Sequence, residues 1–328
     1  MPQEEINKIL IIRLSSLGDI LLTTPVIRAI RKKYPSTEIH FVVKKGFEDS
    51  IKTNKNIDKV HIFEKDRLSK LKNEIKQTGY NLIFDLQNNW RSRELVNGVQ
   101  GKVFKFNKPT FKKLLLVWTK INLLKDSKSI TQRYAESAEV ALDDFGLELY
   151  IPESVKSMLP DGKKYIGLCP GAKHFTKRWP EEDFIQLGNE ISKAGYTILL
   201  FGGKTEAELC GEISGGIINS INCQNDDKLL QLAANMQKCI AVITNDSGLM
   251  HVASALDIPV IAIFGSTVKE FGFTPYGVKN IILENKSLSC RPCSHIGKEK
   301  CPKKHFKCMV DVTPHYVLTK TEKFLSSL

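Results

Sequence analysis

The sequence predicts an α/β protein with two successive domains, each built on a mainly parallel sheet flanked by helices. Apolar, β-branched runs of strand length alternate with amphipathic helical stretches from residue 8 onward, and a second such series begins at residue 164. Residues 148–162 separate the two series, contain two prolines and show no long periodicity, which is typical of a linker. We therefore expect an N-terminal domain over residues 1–155 and a C-terminal domain over residues 156–328.

The composition is that of a globular protein with a large core. The chain has 328 residues, of which 42% are hydrophobic and 26% charged, and no apolar run approaches the roughly 20 residues that span a bilayer. The first residues are acidic and lead directly into a strand, so we predict no signal peptide and a cytoplasmic location. In that compartment the eight cysteines are expected to be thiols or metal ligands.

The net charge of +12 suits an acidic partner such as nucleic acid, anionic lipid headgroups or phosphorylated sugars. Nucleic acid is the least favoured of these because the sequence contains no recognised nucleic-acid-binding module. A solvated basic surface without a partner is the alternative.

The first strand-to-helix junction carries a candidate general base. A buried strand is predicted at residues 8–14 and a helix at residues 20–34, with Ser15 and Asp19 in the turn between them. This turn is neither a Walker loop nor a G-x-G-x-x-G fingerprint, which weakens kinase, GTPase and dehydrogenase interpretations. Asp19 is either a helix-capping residue or a general base near the edge of the sheet.

Further strands are predicted at residues 38–43, 59–63 and 81–86, with a charged helix over 66–78. The turn that follows the last of these strands, residues 87–93, is polar, aromatic and basic. Arg91 and Arg93 in this turn are candidate contacts to the sugar or phosphate groups of an acceptor, because guanidinium forks match phosphate oxygens. A helix start with solvated arginines is the alternative.

Residues 108–128 predict an amphipathic basic helix. The stretch holds six lysines and an apolar set at spacings of three and four, namely Phe111, Leu114, Leu115, Trp118, Ile121 and Leu124. Such helices rest on anionic membrane surfaces. A helix that packs on its own domain and exposes a lysine face is equally consistent with the pattern. A further helix is predicted at 133–145.

The C-terminal series contains an anion-binding candidate. Strands are predicted at 165–169, 197–201, 216–221, 241–244 and 260–264, and helices at 181–193, 206–213, 227–238, 249–256 and 314–328. Asp246, Ser247 and Gly248 lie between a strand and the helix that carries His251. Helix N-termini at the carboxyl edge of a parallel sheet suit a nucleotide diphosphate. Simple capping by Asp246 and Ser247 is the alternative.

A cysteine-rich segment lies near the C-terminus. Cys290, Cys293, Cys301 and Cys308 fall within 19 residues, with His295 and His305 among them. Four thiolates at this spacing suit a structural zinc ion or, less well, an iron–sulfur cluster. Reduced thiols in a packed loop are the alternative.

Four motifs resemble those of glycosyltransferase family nine, the ADP-heptose:lipopolysaccharide heptosyltransferases. They are L-S-S-L-G-D-I-L-L-T-T-P at 14–25, P-G-A-K-H-F-T-K-R-W-P at 170–180, F-G-G-K-T-E at 201–206 and T-N-D-S-G-L-M-H at 244–251. The resemblance implies a GT-B fold, with two Rossmann-like domains facing a central cleft. It implies that the N-terminal domain binds the acceptor, the C-terminal domain binds the nucleotide-sugar, and transfer inverts the anomeric carbon without a catalytic metal.

The resemblance also implies roles for individual residues. Asp19 matches the proposed general base and Lys177 a lysine near the donor diphosphate. Glu206 matches an acid associated with the nucleoside. Asp246, Gly248 and His251 match the D-[ST]-G-x-x-H donor site, to which Ser247 belongs. Where some members have two hydroxyl residues, this chain has Gly171 and Ala172, so backbone N–H groups are expected to contact phosphate there.

We therefore expect an enzyme that transfers heptose from ADP-heptose to the inner core of lipopolysaccharide. Its expected partners are a nucleotide-sugar, a lipid A-core acceptor and the anionic surface of the inner membrane, and no nucleic acid. No cofactor is expected for catalysis. A transferase for another nucleotide-sugar and a non-catalytic binding protein of the same fold are the alternatives.

Overall fold

The structure is a computed structural model that describes residues 5–125, 128–226 and 228–328. The chain divides into two compact α/β units, each built on a parallel sheet, as the sequence predicts. The first unit runs to Lys108 and resumes over Lys128–Tyr150, and the second comprises the segment from Pro109 together with Ile151–Leu328.

The segment after Pro109 is where the units differ from the predicted domains. The sequence predicts this segment in the N-terminal domain, but in the structure it groups with the second unit. The side chains of Leu116 and Leu124 are buried against Phe271. Burial of these apolar groups fixes the segment on the second unit.

The sheet of the first unit has the order β3-β2-β1-β4-β5, and all neighbouring strands are parallel. Its strands are β1 (Lys8–Ile12), β2 (Glu38–Lys44), β3 (Lys59–Phe63), β4 (Leu82–Asp85) and β5 (Lys102–Lys105). Its helices are α1 (Leu17–Leu21), α2 (Thr24–Lys33), α3 (Leu68–Thr78), α4 (Trp90–Val96) and α6 (Ile130–Ser137). The strand pairing brings the carboxyl ends of β1 and β4 side by side, so the turns that follow them meet.

The predicted helix over residues 20–34 is two helices. Pro25 has no N–H to continue the hydrogen-bond ladder, and the hydroxyls of Thr23 and Thr24 donate to the carbonyls of Ile20 and Leu21 at 2.6 and 2.8 Å. The chain therefore turns after α1 and starts α2, which buries an apolar face and ends in three basic residues.

The helix predicted over residues 133–145 is also displaced in the structure. It begins earlier, at Ile130, because the side chain of Ser129 accepts a hydrogen bond from the N–H of Gln132. It ends at Ser137, just before Glu139, which adopts a positive φ of 53°.

The sheet of the second unit has the order β11-β10-β9-β6-β7-β8, again with parallel neighbours. Its strands are β6 (Tyr165–Cys169), β7 (Thr197–Leu200), β8 (Ser220–Asn222), β9 (Cys239–Asn245), β10 (Val260–Ile263) and β11 (Asn280–Leu283). Its helices are α5 (Thr110–Thr119), α7 (Glu181–Lys193), α8 (Ala207–Gly216), α9 (Leu229–Met236), α10 (Gly248–Ala255), α11 (Lys307–Val310) and α12 (Pro314–Leu325). The adjacent β6, β9 and β10 place three polar loops at one edge.

The predicted helix over residues 108–128 is shorter in the structure, and Asp126 and Ser127 lie outside the described residues. Helix α5 ends at Thr119, and Lys120 adopts a left-handed conformation with φ 64°. Leu116, which the predicted apolar set omits, is the buried residue of the helix, whereas Phe111 and Trp118 are exposed.

Candidate active site

The turn after β1 holds Asp19 through three contacts. Asp19 is in the first turn of α1, where its Oδ2 accepts hydrogen bonds from the N–H of Ser16 at 3.2 Å and from Ser16 Oγ at 2.6 Å. Its Oδ1 lies 2.7 Å from Nη2 of Arg13. Ser16 is therefore the N-cap of α1, and Asp19 completes the capping box from the third helical position while Arg13 holds its other oxygen.

Arg13 is a functional candidate that the sequence analysis missed. Its guanidinium donates to the carbonyls of Ser15 at 3.1 Å and Leu86 at 2.7 Å, and its charge lies 5.5 Å from the ring centre of Tyr134. Burial disfavours its charge, but Tyr134 and Asp19 outweigh burial and raise the pKa of Arg13. The visible signal was a charged residue at the end of the apolar run of β1.

Tyr134 is the second residue that the sequence analysis missed. The side chain is fully buried, and burial raises the pKa of Tyr134, with a hydrogen bond to Asp19 acting in the same direction. The residue comes from α6, more than a hundred positions from Asp19, so no local pattern connected the two. Arg13 and Tyr134 together hold the Asp19 carboxylate in one orientation.

The turn after β4 lies next to the turn that carries Ser15. Gln87 Oε1 accepts hydrogen bonds from the N–H groups of Leu14 at 3.0 Å and Ser15 at 3.3 Å. Asn89 caps α4 by accepting from the N–H groups of Arg91 and Ser92. The structure thus brings Ser15 and the 87–93 turn together.

The two predicted arginines of this turn have different surroundings. Arg93 is exposed, and its guanidinium donates to Asn88 Oδ1 at 3.1 and 3.0 Å. Arg91 lies 5.1 Å from the ring centre of Trp90, and its buried Nε has no hydrogen-bond partner among the described residues. Lys108 joins them by donating to the carbonyl of Asn88 at 3.1 Å, and burial together with Arg13 lowers its pKa. The turn therefore offers several cationic donors.

In the second unit, Lys177 and Asp246 form a partly enclosed ion pair. Lys177 Nζ lies 2.6 Å from Asp246 Oδ2, and the same oxygen accepts a hydrogen bond from Thr267 Oγ1 at 2.6 Å. The three residues follow β6, β9 and β10, whose carboxyl ends are adjacent. Thr267 is a further residue that the sequence analysis did not name as a site residue.

Helix α10 begins directly at this ion pair. Ser247 is its N-cap in extended conformation, Gly248 is its first residue, and His251 is buried one turn later. The hydroxyls of Ser247 and Ser266 are buried and have no hydrogen-bond partner in the described part of the chain. Ser247 therefore does not cap the helix with its side chain, and the first N–H groups of α10 are available to an anion.

Glu206 lies beside the loop that follows β6. Its Oε2 accepts a hydrogen bond from the N–H of Gly203 at 3.0 Å, and its Oε1 accepts from Thr205 Oγ1 at 2.8 Å. A Cβ added at Gly171 would lie 2.5 Å from Glu206 Cγ. Glycine at 171 thus leaves space for Glu206, and the structure brings the 170–177 loop and Glu206 together.

The cysteine-rich segment, residues 290–308, shows one sulfur–histidine contact, 3.8 Å from Cys290 Sγ to His305 Nε2. Burial raises the pKa of Cys293, and raises that of Cys308 to about 12. Across the described residues, His, Cys, Asp and Glu side chains form no group of three or more arranged to hold a metal ion. The zinc interpretation of Cys290, Cys293, Cys301 and Cys308 stays a prediction.

Comparison with known proteins gives the family. Residues 68–304 match the profile of glycosyltransferase family 9 (heptosyltransferase), which covers well over half of the chain. The chain belongs to glycosyltransferase family 9. It is therefore a glycosyltransferase, as the sequence motifs predict.

Similar proteins cover nearly the whole of this glycosyltransferase. Lipooligosaccharide heptosyltransferase 2 of Campylobacter jejuni is 29% identical over 322 residues, which is 95% of this chain and 96% of that protein. The family 9 glycosyltransferase of Veillonella parvula superposes with a TM-score of 0.82 at 23% identity, covering 100% of this chain and 99% of that one. ADP-heptose lipopolysaccharide heptosyltransferase II of Escherichia coli gives a TM-score of 0.74 at 22% identity, covering 98% and 99%. The fold is GT-B.

Proposed function

We propose that this family 9 glycosyltransferase transfers heptose from ADP-heptose to the inner core of lipopolysaccharide, with inversion at the anomeric carbon. The observation that carries the proposal is the arrangement of Lys177, Asp246 and the start of α10 at one sheet edge. The names of the relatives in Campylobacter jejuni and Escherichia coli support the sugar and the acceptor. An ammonium group and a helix N-terminus are the groups that a leaving diphosphate requires.

In the proposed reaction, the acceptor hydroxyl attacks the anomeric carbon of the heptose and loses its proton to Asp19. A new carbon–oxygen bond forms as the bond to the diphosphate breaks, and the electron pair leaves with ADP. Attack from the face opposite the leaving group inverts the configuration. General-base catalysis of this kind contributes roughly 10²–10⁴-fold.

The surroundings of Asp19 support the role of base. Its Oδ1 lies 2.7 Å from Nη2 of Arg13, so the carboxylate that is proposed to accept the proton is held in place. Ser15, Arg91 and Arg93 are proposed to bind the acceptor.

On the donor side, we propose that Lys177 and the N–H groups of Ser247 and Gly248 bind the diphosphate. Glu206 binds the ribose hydroxyls and His251 lies beside the donor on α10. These groups supply the charge stabilisation, so the proposal requires no catalytic metal. A structural zinc ion at the cysteine-rich segment is a separate proposal that metal analysis of untagged protein tests.

We also propose that the enzyme works in the cytoplasm at the surface of the inner membrane. Phe111 and Trp118, two turns apart on α5, are 75% and 77% exposed, and Ile121 and Leu123 after the helix are each 54% exposed. Lysines 112 and 125 on the same segment are also exposed. Exposed aromatic groups beside lysines suit an anionic lipid surface. No helix in the described ranges has the length and apolar character to cross a membrane.

A donor panel tests the proposed function. Purified enzyme is incubated with a lipid A-core acceptor lacking heptose and with ADP-heptose, ADP-glucose or UDP-N-acetylglucosamine. We expect nucleoside diphosphate release and transfer with ADP-heptose only. Turnover of a different donor supports the alternative transferase, and binding of ADP-heptose without any transfer supports the non-catalytic alternative.

A further inference from the structure

Arg291 lies inside the cysteine-rich segment and reaches the loop after β10, residues 264–267. Its guanidinium donates to the carbonyls of Gly265 at 2.6 Å, Thr267 at 3.0 Å and Phe264 at 3.2 Å. It also donates to the carbonyl of Asn285 at 2.6 Å. A single side chain therefore binds three of the four carbonyls in the 264–267 loop.

The guanidinium is neutralised by one acid. Arg291 Nη2 lies 2.7 Å from Glu284 Oε2, and the two side chains are only 5% and 7% exposed. An ion pair at this depth is costly to break, because the remaining charge is left buried. Lysine preserves the charge at such a position but lacks the planar fork that binds several acceptors at once.

The 264–267 loop connects Arg291 to the donor site. Thr267 donates its hydroxyl to Asp246, the partner of Lys177, while its carbonyl accepts from Arg291. The N–H of Ser266 donates to the carbonyl of Thr176 at 3.2 Å, next to Lys177. The cysteine-rich segment adds a second link, from the N–H of Cys293 to the carbonyl of Ser266 at 3.2 Å.

We infer that Arg291 is a positioning residue for the donor-phosphate site. By fixing the carbonyls of the 264–267 loop, it holds Thr267 against Asp246 and thereby sets where Lys177 presents its charge to the diphosphate. The inference rests on the proposed function, which identifies this sheet edge as the donor-phosphate site. The loop geometry that Arg291 fixes is testable without substrate.

The test compares three variants. Arg291→Lys keeps the charge beside Glu284 and loses most of the carbonyl contacts. Glu284→Gln breaks the same ion pair but leaves those contacts. Arg28→Lys is the control in the first unit. Arg28 pairs with two acids, Asp143 and Glu148, where Arg291 pairs with one, and like Arg291 it donates to carbonyls.

Each variant is measured by thermal unfolding, by calorimetric titration with ADP, and by hydrogen exchange of peptides covering 262–268 and 174–180. All three variants are expected to lower the melting temperature. Arg291→Lys alone is expected to speed exchange in both peptides and to weaken ADP binding about tenfold, because two or more hydrogen bonds are lost.

Two results overturn the inference. One is unchanged exchange at 262–268 in Arg291→Lys, and the other is the same loss of ADP affinity in Glu284→Gln or Arg28→Lys, which indicates general destabilisation. If wild-type enzyme binds no ADP, the proposed function fails, while the exchange data still decide whether Arg291 holds the loop.

Discussion

Lys177 Nζ lies 2.6 Å from Asp246 Oδ2, so the lysine proposed to receive the donor diphosphate already has an anionic partner. A diphosphate bound next to this pair adds negative charge beside the Asp246 carboxylate. The lysine is therefore required twice, to attract the phosphate and to offset the carboxylate. Removing the charge of Lys177 and removing that of Asp246 should therefore change the donor affinity by different amounts.

Lys177→Met is expected to weaken ADP-heptose binding on the order of a hundredfold, because it leaves the Asp246 carboxylate uncompensated near the phosphate. Asp246→Asn keeps a hydrogen-bond acceptor for Thr267 and should weaken binding much less. The double variant should bind roughly tenfold more tightly than Lys177→Met, a gain of ~1.4 kcal/mol, and the coupling energy is this gain plus the cost of Asp246→Asn alone. Calorimetric titration of all three variants measures this cycle, and strictly additive effects would show that the ion pair does not couple to the donor.

Gly171→Ala tests the placement of Glu206. The added methyl group would lie 2.5 Å from Glu206 Cγ, which is closer than packed carbon atoms approach, so Glu206 must move. We expect a rise of about tenfold in the KM for donor with a smaller change in kcat, since the nucleoside contact is made in both ground and transition states. Gly211→Ala is the matched control, because its Cβ would meet no atom within 4 Å. An unchanged KM in Gly171→Ala would remove Glu206 from the donor site.

His61 should make the enzyme sensitive to mild acid. Burial, offset in part by Glu74, lowers the pKa of His61 to about 4, while its Nε2 lies 3.1 Å from both Tyr80 Oη and His40 Nδ1. The unfolded chain binds this proton more tightly than the folded chain. The stability contribution is therefore complete above pH 6.5, the ordinary pKa of histidine, and is lost as the pH falls toward 4.

Melting temperatures between pH 7.5 and 5 measure this dependence. His61→Gln should flatten the curve in that range. The carboxylates of Glu38 and Glu74, whose pKa values are lowered by hydrogen bonds to His40 and Lys59, add their own losses only below about pH 4.5. If the variant and the wild type keep parallel curves, another group carries the acid sensitivity.

The double variant Phe111→Ser, Trp118→Ser tests the membrane surface. Sedimentation with anionic liposomes at low salt should fall severalfold, because the two exposed aromatic groups supply the apolar contact. Phe145→Ser is the matched control, since Phe145 is equally exposed, at 72%, but lies in the first unit. Equal recovery of wild type and double variant, or equal recovery with neutral liposomes, counts against membrane contact.

The alternation of strands and helices was sufficient to predict both parallel sheets, because buried parallel strands are continuous apolar runs. Short strands at sheet edges, such as β5 and β11, were missed because their burial is partial and their pattern weak. The predicted helix ends were wrong where a single local residue ends or starts a helix, as at Pro25 and at the left-handed Lys120.

Candidate site residues could be predicted only where they follow a strand in sequence. Asp19 and Asp246 stand in such turns, and the family motifs include them. Tyr134 and Arg291 contact distant parts of the chain, as does Arg13 through the carbonyl of Leu86, and sequence spacing does not reveal such contacts. The segment after Pro109 was predicted in the wrong unit for the same reason, since its burial against Phe271 is a tertiary contact.

The role of Asp19 is the most direct test of the proposed transfer. Asp19→Asn keeps the shape of the side chain and removes the base, and its turnover is measured with ADP-heptose and a lipid A-core acceptor beside calorimetric binding of the donor. We predict donor affinity within about twofold of wild type and turnover lower by roughly 10²–10⁴-fold. Turnover within a few-fold of wild type would contradict the proposal that Asp19 accepts the proton.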